Sequence, residues 1–289
     1  MQERKVFSVF RYQLLPTTTK IQTRIDEKYN TYEELVEKKN AFFKEVITNN
    51  KLKFRGKGYD VISRVENVIG EYIFLKMGVQ KVVSLHDKDF KSKVEYNYPN
   101  SLVYINNLKD KQFMLIEHDT EAFSKTEALK NIIEKSVNNA LKHFDLNVYI
   151  EKITDVSQFW DTIQEYEGRI KTLRFEFIKP NMSNISGKAV DAIRLLRNKA
   201  NSHKTNLELN APKNGVLENI NPENKEISSL AQYSADGGGV PKIKVKKYRK
   251  LIKTSDREET IEVEEINIEG KPYEKIAELL NTLFDTQIE

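Results

Sequence analysis

The chain is 289 residues long and carries 47 basic against 43 acidic side chains, a formal net charge of +4. With no cysteine it can form no disulfide, thiolate metal site or cysteine nucleophile. So small a net charge steers a polyanion only weakly, and affinity for one must come from local clustering.

Hydrophobic residues at 39% and aromatic residues at 10% suffice for a core, and the length favours two domains over one. The amino terminus, MQERKVFSVFRYQLL, is too charged for a signal peptide. No stretch approaches the roughly 20 apolar residues that cross a bilayer. A cytoplasmic protein without membrane insertion is expected.

Residues 4–15 read as a first strand, ended by Pro16 and the threonines after it. Over residues 31–49, Leu35, Val36, Phe42, Phe43, Val46 and Ile47 recur at helical spacing. Strands follow at EYIFLKMG, KVVSLHD, NSLVYINN and KQFMLIEHD, with Asn106, Asn107, Lys109 and Asp110 suited to the last turn. Residues 121–144 carry Leu129, Ile132, Ile133, Val137 and Leu141 at helical spacing. Ser124 and Glu127 there fit a capping box.

The second half reads as a strand (LNVYIEKI), a helix around Phe159 and Trp160, and a strand (RIKTLRFEFIKP). A helix over 186–204, a strand (TNLELNAP), a helix over 222–235, a charged hairpin and a helix over 272–284 complete it. Strands and helices mix without a βαβ rhythm. The expected class is therefore α+β, with mixed antiparallel sheets and helices in two lobes, 1–145 and 146–289.

Two basic combs stand out. Lys51, Lys53, Arg55 and Lys57 alternate with Leu52 and Phe54; Lys242, Lys244 and Lys246 alternate with Ile243 and Val245. Period-two alternation puts the cations of each comb on one solvent face. The second comb runs on through Lys247, Arg249, Lys250 and Lys253, so residues 237–253 hold seven basic side chains and no acidic one. Each ammonium can neutralise one phosphate of a polyanion. Tyr59 and Tyr248, close to the combs, can stack on bases.

A competing reading neutralises the second comb. If 242–246 pairs with EETIEVEE at 258–265 through a turn at 254–257, Lys246 faces Glu262 and Lys244 faces Glu264. Such cross-strand pairs contribute about 0.2–1 kcal/mol each. Lys247, Arg249, Lys250 and Lys253 lie toward the turn and have fewer partners in sight. The run Gly237–Gly239 precedes a strand rather than a helix, so it reads as a flexible connector and not a phosphate loop.

Catalytic signatures are sparse. Arg197, Asn198 and His203 resemble the arginine–polar–spacer–histidine pattern of HEPN-type ribonucleases. Six helical residues turn through about 600°, however, so the two side chains diverge if the helix continues. Asp87, Asp89, Glu117 and Asp119 lie near strand ends, where metal nucleases place carboxylates. Glu151 with Lys152 and Glu176 with Lys179 approach a nuclease Glu-x-Lys pattern. No histidine pair has metal spacing and no serine elbow exists, so no catalytic residue, metal or cofactor is assigned.

From EYIFLKMG through SLVYINNLKDKQFMLIEHDTEAF into a helix, then NVYIEKITD and GRIKTLRFEFIKP, the order of elements resembles the RexA-type phage-exclusion proteins of temperate bacteriophages. The resemblance runs over most of residues 60–289. It implies a homodimer that binds duplex DNA without strong sequence preference, acting in phage defence with a possible second component of that system.

The combined expectation is a duplex-DNA-binding protein contacting phosphates through Lys51, Lys53, Arg55, Lys57, Lys242, Lys244, Lys246, Lys247, Arg249 and Lys250. Its alternatives are a HEPN-like ribonuclease using Arg197 and His203, and a protein–protein adaptor whose charged hairpin is the interface.

Overall fold

A computed structural model describes residues 4–19, 28–178, 202–254 and 259–288, together with 191–193, 195 and 200. The fold is α+β, as expected, with antiparallel sheets and helices. Two compact units are present. The first comprises Met1–Val9, Glu33–Val148 and Thr260–Glu289; the second, Phe10–Tyr32 and Tyr149–Glu259. The expected 1–145/146–289 division is thus corrected. Its break falls near Val148, but residues 260–289 return to the first unit and 10–32 belong to the second. Strand pairing between distant segments makes those assignments, and local composition carries no trace of it.

The large sheet runs β14 (Thr260–Glu264), β1 (Arg4–Pro16), β8 (Lys111–Glu117), β7 (Asn100–Leu108), β4 (Tyr72–Gly78), β3 (Asp60–Ile69) and β2 (Phe54–Arg55), with β9 (Leu146–Lys152) also on β1. β5 (Lys81–His86) and β6 (Ser92–Asn97) pair as a separate hairpin whose side chains are almost all exposed. β7 and β8 are buried along nearly their whole length, as strands covered on both faces are.

Consecutive strand residues point to opposite faces, so Asn106 and Asn107 meet different helices. Asn106 Nδ2 donates to Asn281 Oδ1 (2.8 Å) in α5 (Tyr273–Gln287), where Phe113 also stacks on Phe284 at 3.8 Å. Asn107 Nδ2 donates to the backbone oxygen of Asn40 (3.0 Å) in α1 (Tyr32–Ile47), and Asn40 Nδ2 donates back at 2.7 Å. Both asparagines were expected in a turn. They lie inside the strand because each buried amide finds partners that offset its desolvation.

Helix α2 (Thr126–Leu141) buries the apolar stripe its spacing predicts, but the Ser124 capping box does not form. The cap position is Lys125, one residue later, without a side-chain hydrogen bond. The Thr126 hydroxyl is shared with Ser8 Oγ at 2.8 Å.

In the second unit the sheet order is β11 (Lys204–Asn210), β10 (Ile170–Ile178), β12 (Lys242–Val245), β13 (Ile252–Lys253). One face packs Leu173, Phe175, Phe177, Ile243 and Val245 against α3 (Val156–Glu165) and α4 (Lys225–Tyr233) through Phe159, Ile163, Ile227, Leu230 and Tyr233. Asp155 caps α3 through the Ser157 amide (2.7 Å) and Asn224 caps α4 through Ile227 (3.3 Å). Of the helix expected over 186–204, residues 191–193, 195 and 200 are helical and the others lie outside the described residues or beyond its end.

The glycine run is not a solvent-exposed connector. Gly237, Gly238 and Gly239 are buried. Gly237 and Gly239 have φ of 91° and 110°, and a Cβ on Gly238 would lie 2.3 Å from the Tyr233 ring. Close packing and left-handed backbone, rather than flexibility, select glycine here.

Candidate nucleic-acid interface

On β12 the alternation holds: Ile243 and Val245 are buried, while Lys242 and Lys244 are half-buried on the other face. The neutralising hairpin does not form. The acidic strand β14 pairs with β1, placing Glu264 opposite Arg4 and Glu262 opposite Val6. β12 lies instead between β10 and β13, with Lys242 opposite Arg174 on one side and Lys253 on the other.

Neutralisation on this sheet face comes from a carboxylate the sequence reading did not consider for it. Glu176 on β10 takes Lys242 Nζ at 3.0 Å and Lys204 Nζ at 2.8 Å, and Arg174 pairs with Glu208. Burial by itself would raise the Glu176 pKa. Hydrogen bonds and charge from Lys204 and Lys242 outweigh it and hold the carboxyl below the ordinary 4.5.

A carboxyl depressed in the folded state stabilises above its unfolded pKa and loses that contribution as pH falls through the folded value. The melting temperature reported by Trp160 emission is therefore expected to hold down to about pH 5 and fall below it. Glu176→Gln is expected to make that acid limb shallower, with Glu208, likewise held below the ordinary value, supplying part of what remains. An unchanged acid limb would show that this ion-pair cluster contributes nothing to stability.

Beyond β12 the chain turns through 246–250. Lys244 Nζ donates to the Arg249 backbone oxygen, tying the turn together. Lys246, Lys247, Arg249 and Lys250 are exposed, and among the described residues none of them has a carboxylate partner. Lys247 adopts φ 74°. Beside them the Lys246 amide donates to the Arg169 oxygen (2.8 Å), and the Arg169 guanidinium lies 5.1 Å from the Tyr166 ring centre. Tyr166 meets Tyr248 edge-on at 5.8 Å.

A hydrogen bond to Glu165, with smaller contributions from burial and from Tyr248, pushes the Tyr166 hydroxyl up to about 12, so it stays neutral at physiological pH. Arg169 and Tyr166 went unnoticed in the sequence. They join this corner through β10–β12 pairing, which no local spacing reveals.

The other comb lies in the first unit. Lys51, Lys53, Arg55 and Lys57 are all exposed while Leu52 is half-buried and Phe54 buried, although only Phe54 and Arg55 are hydrogen-bonded as strand. Arg55 Nε pairs with Asp60 Oδ1 at 3.3 Å. Lys51, Lys53 and Lys57 have no ion-pair partner among the described residues. Tyr59, 44% exposed, follows them.

The remaining candidates have structural roles. His203 Nε2 lies 2.6 Å from the Pro16 backbone oxygen, which makes that nitrogen the protonated donor. Nδ1 then accepts from the Tyr149 hydroxyl at 3.4 Å. With both ring nitrogens engaged, His203 is not poised as a base. Arg197 and Lys179 lie outside the described residues. Asp87 accepts from the amides of Asp89 and Lys91, and Asp119 from those of Glu121 and Ala122. Glu117 holds Lys5 at 2.7 Å. His118 Nε2 meets Ser8 Oγ at 2.5 Å, but Ser8 is fully buried and can reach no substrate.

Among the described residues no cluster of three or more potential ligands could hold a metal, and no helix is long and apolar enough to cross a membrane. No protein-family model matches the chain, and no curated protein sequence matches it.

Proposed function

We propose that this protein binds double-stranded DNA through phosphate contacts, with little base reading, and that it acts in bacteriophage exclusion as a homodimer. The observation that carries the DNA reading is the turn 246–250, whose four cations are exposed and unneutralised because the acidic strand pairs elsewhere. Lys51, Lys53 and Lys57 supply a second set of contacts, and Arg169 extends the first. Lys242 and Lys244, held by Glu176 and by the Arg249 oxygen, contribute less. The defence role and the dimer rest on the resemblance to RexA-type proteins.

The test is duplex affinity across a salt series. Phosphate-dominated binding predicts a log–log slope of about 0.9 per contact on B-DNA, hence about 3 to 6 in all. It also predicts similar affinity for unrelated sequences. A complex insensitive to salt, or none at moderate ionic strength, removes the reading and leaves the charged turn as a protein-binding surface.

A further inference from the structure

Immediately after the first comb, Tyr59 and Asp60 enter the wall of a cleft of about 570 Å³. That volume falls within the roughly 300–1,000 Å³ typical of small-ligand sites. Ile62 on β3 and Phe123 ahead of α2 give it apolar surface, and Gln80 and Lys81 line it from the start of the exposed hairpin. Its walls therefore mix apolar surface with polar groups: the Asp60 carboxylate, which also holds Arg55, the Gln80 amide and the Lys81 ammonium.

Tyr59 is braced rather than free. The Gly56 amide donates to the Tyr59 backbone oxygen at 2.9 Å, closing the loop, and the phenol end of the ring lies against Gly56, where a Cβ would come within 2.3–2.6 Å of its atoms. Glycine there lets the ring rest on backbone while it remains 44% exposed. A braced, half-exposed ring is a stacking platform.

A nucleobase has the matching chemistry, with apolar faces and a polar edge able to hydrogen-bond Gln80 and Asp60. Lys51, Lys53 and Lys57, on the segment leading to Tyr59, stand ready for the phosphates of the same strand. In intact duplex the bases are stacked and paired, out of reach. We infer that this cleft receives an unpaired base, so that the protein prefers DNA containing a bulge, gap or mismatch over perfect duplex. The inference rests on the DNA-binding reading above.

The experiment compares a perfect duplex with one of equal length and charge carrying a single bulged 2-aminopurine, at fixed salt. Stacking strengths predict about tenfold tighter binding of the bulged duplex and a change in probe emission on binding. Tyr59→Phe should keep that preference. Tyr59→Ala should reduce it to less than about twofold.

Equal binding of both duplexes by the wild type, or a preference that survives Tyr59→Ala, overturns the cleft assignment while the DNA reading stands. Failure to bind either duplex overturns both.

Discussion

Changing Lys247, Arg249 and Lys250 together to glutamate is expected to weaken duplex binding about a hundredfold or more near physiological salt, and to lower the salt slope by about 2.7. Each of these cations is exposed on the turn after β12, so reversal leaves no buried charge and the melting temperature should hold. The same reversal at Lys242 has a different expected outcome. Its ammonium is tied to Glu176 at 3.0 Å, so Lys242→Glu places two carboxylates together and destabilises the sheet for a smaller direct effect on binding. Affinity and slope from fluorescence anisotropy, with a thermal melt alongside, separate the two. A triple variant that binds like the wild type would remove the 246–250 turn from the interface.

Gly238→Ala is expected to lower the stability of the second unit by about 3 kcal/mol or more. A Cβ there would sit 2.3 Å from the Tyr233 ring and 2.5 Å from the Tyr233 backbone oxygen. Neither can yield easily. Tyr233 is 1% exposed, its hydroxyl donates to the Ile178 oxygen, and its ring packs on Phe177 at 5.2 Å. Gly168 is the internal comparison: it has φ 67° but nothing within 4 Å of its Cβ position. Gly168→Ala should therefore cost only the backbone strain of about 1–2 kcal/mol. Trp160, the chain's single tryptophan, lies in this unit and reports its unfolding. If the two variants melt together, the glycine run is not the packed element described above.

Much of the secondary structure was legible because its signals are local. The apolar spacing of Leu129, Ile132, Ile133, Val137 and Leu141 locates α2, and continuous apolar runs locate β4, β7 and β8. β6 gave no such signal, since SKVEYN is polar and exposed along its whole length. Asn106 and Asn107 misled in the opposite direction. Their type suits turns, yet the Asn281 side chain of α5 and the Asn40 backbone oxygen of α1, both distant in sequence, satisfy them inside a buried strand. Gly237–Gly239 misled likewise, since glycine marks tight packing as readily as freedom, and only neighbouring atoms tell which.

For the candidate site, the sequence by itself determined which side chains meet solvent. Strand geometry alternates faces every residue, and so Ile243 and Val245 are buried while Lys242 and Lys244 turn to the other face. Lys51, Lys53 and Lys57, outside the two-residue strand Phe54–Arg55, are exposed because a charged side chain stays in water where no partner is buried with it. Only the tertiary structure decided which cations keep an unneutralised charge. Glu262 and Glu264, close to the comb in sequence, sit on a strand paired with β1, whereas Glu176, more than sixty residues upstream, holds Lys242. The reason is physical: side-chain alternation follows from local backbone geometry, but strand partners are selected by burying apolar faces contributed from across the chain.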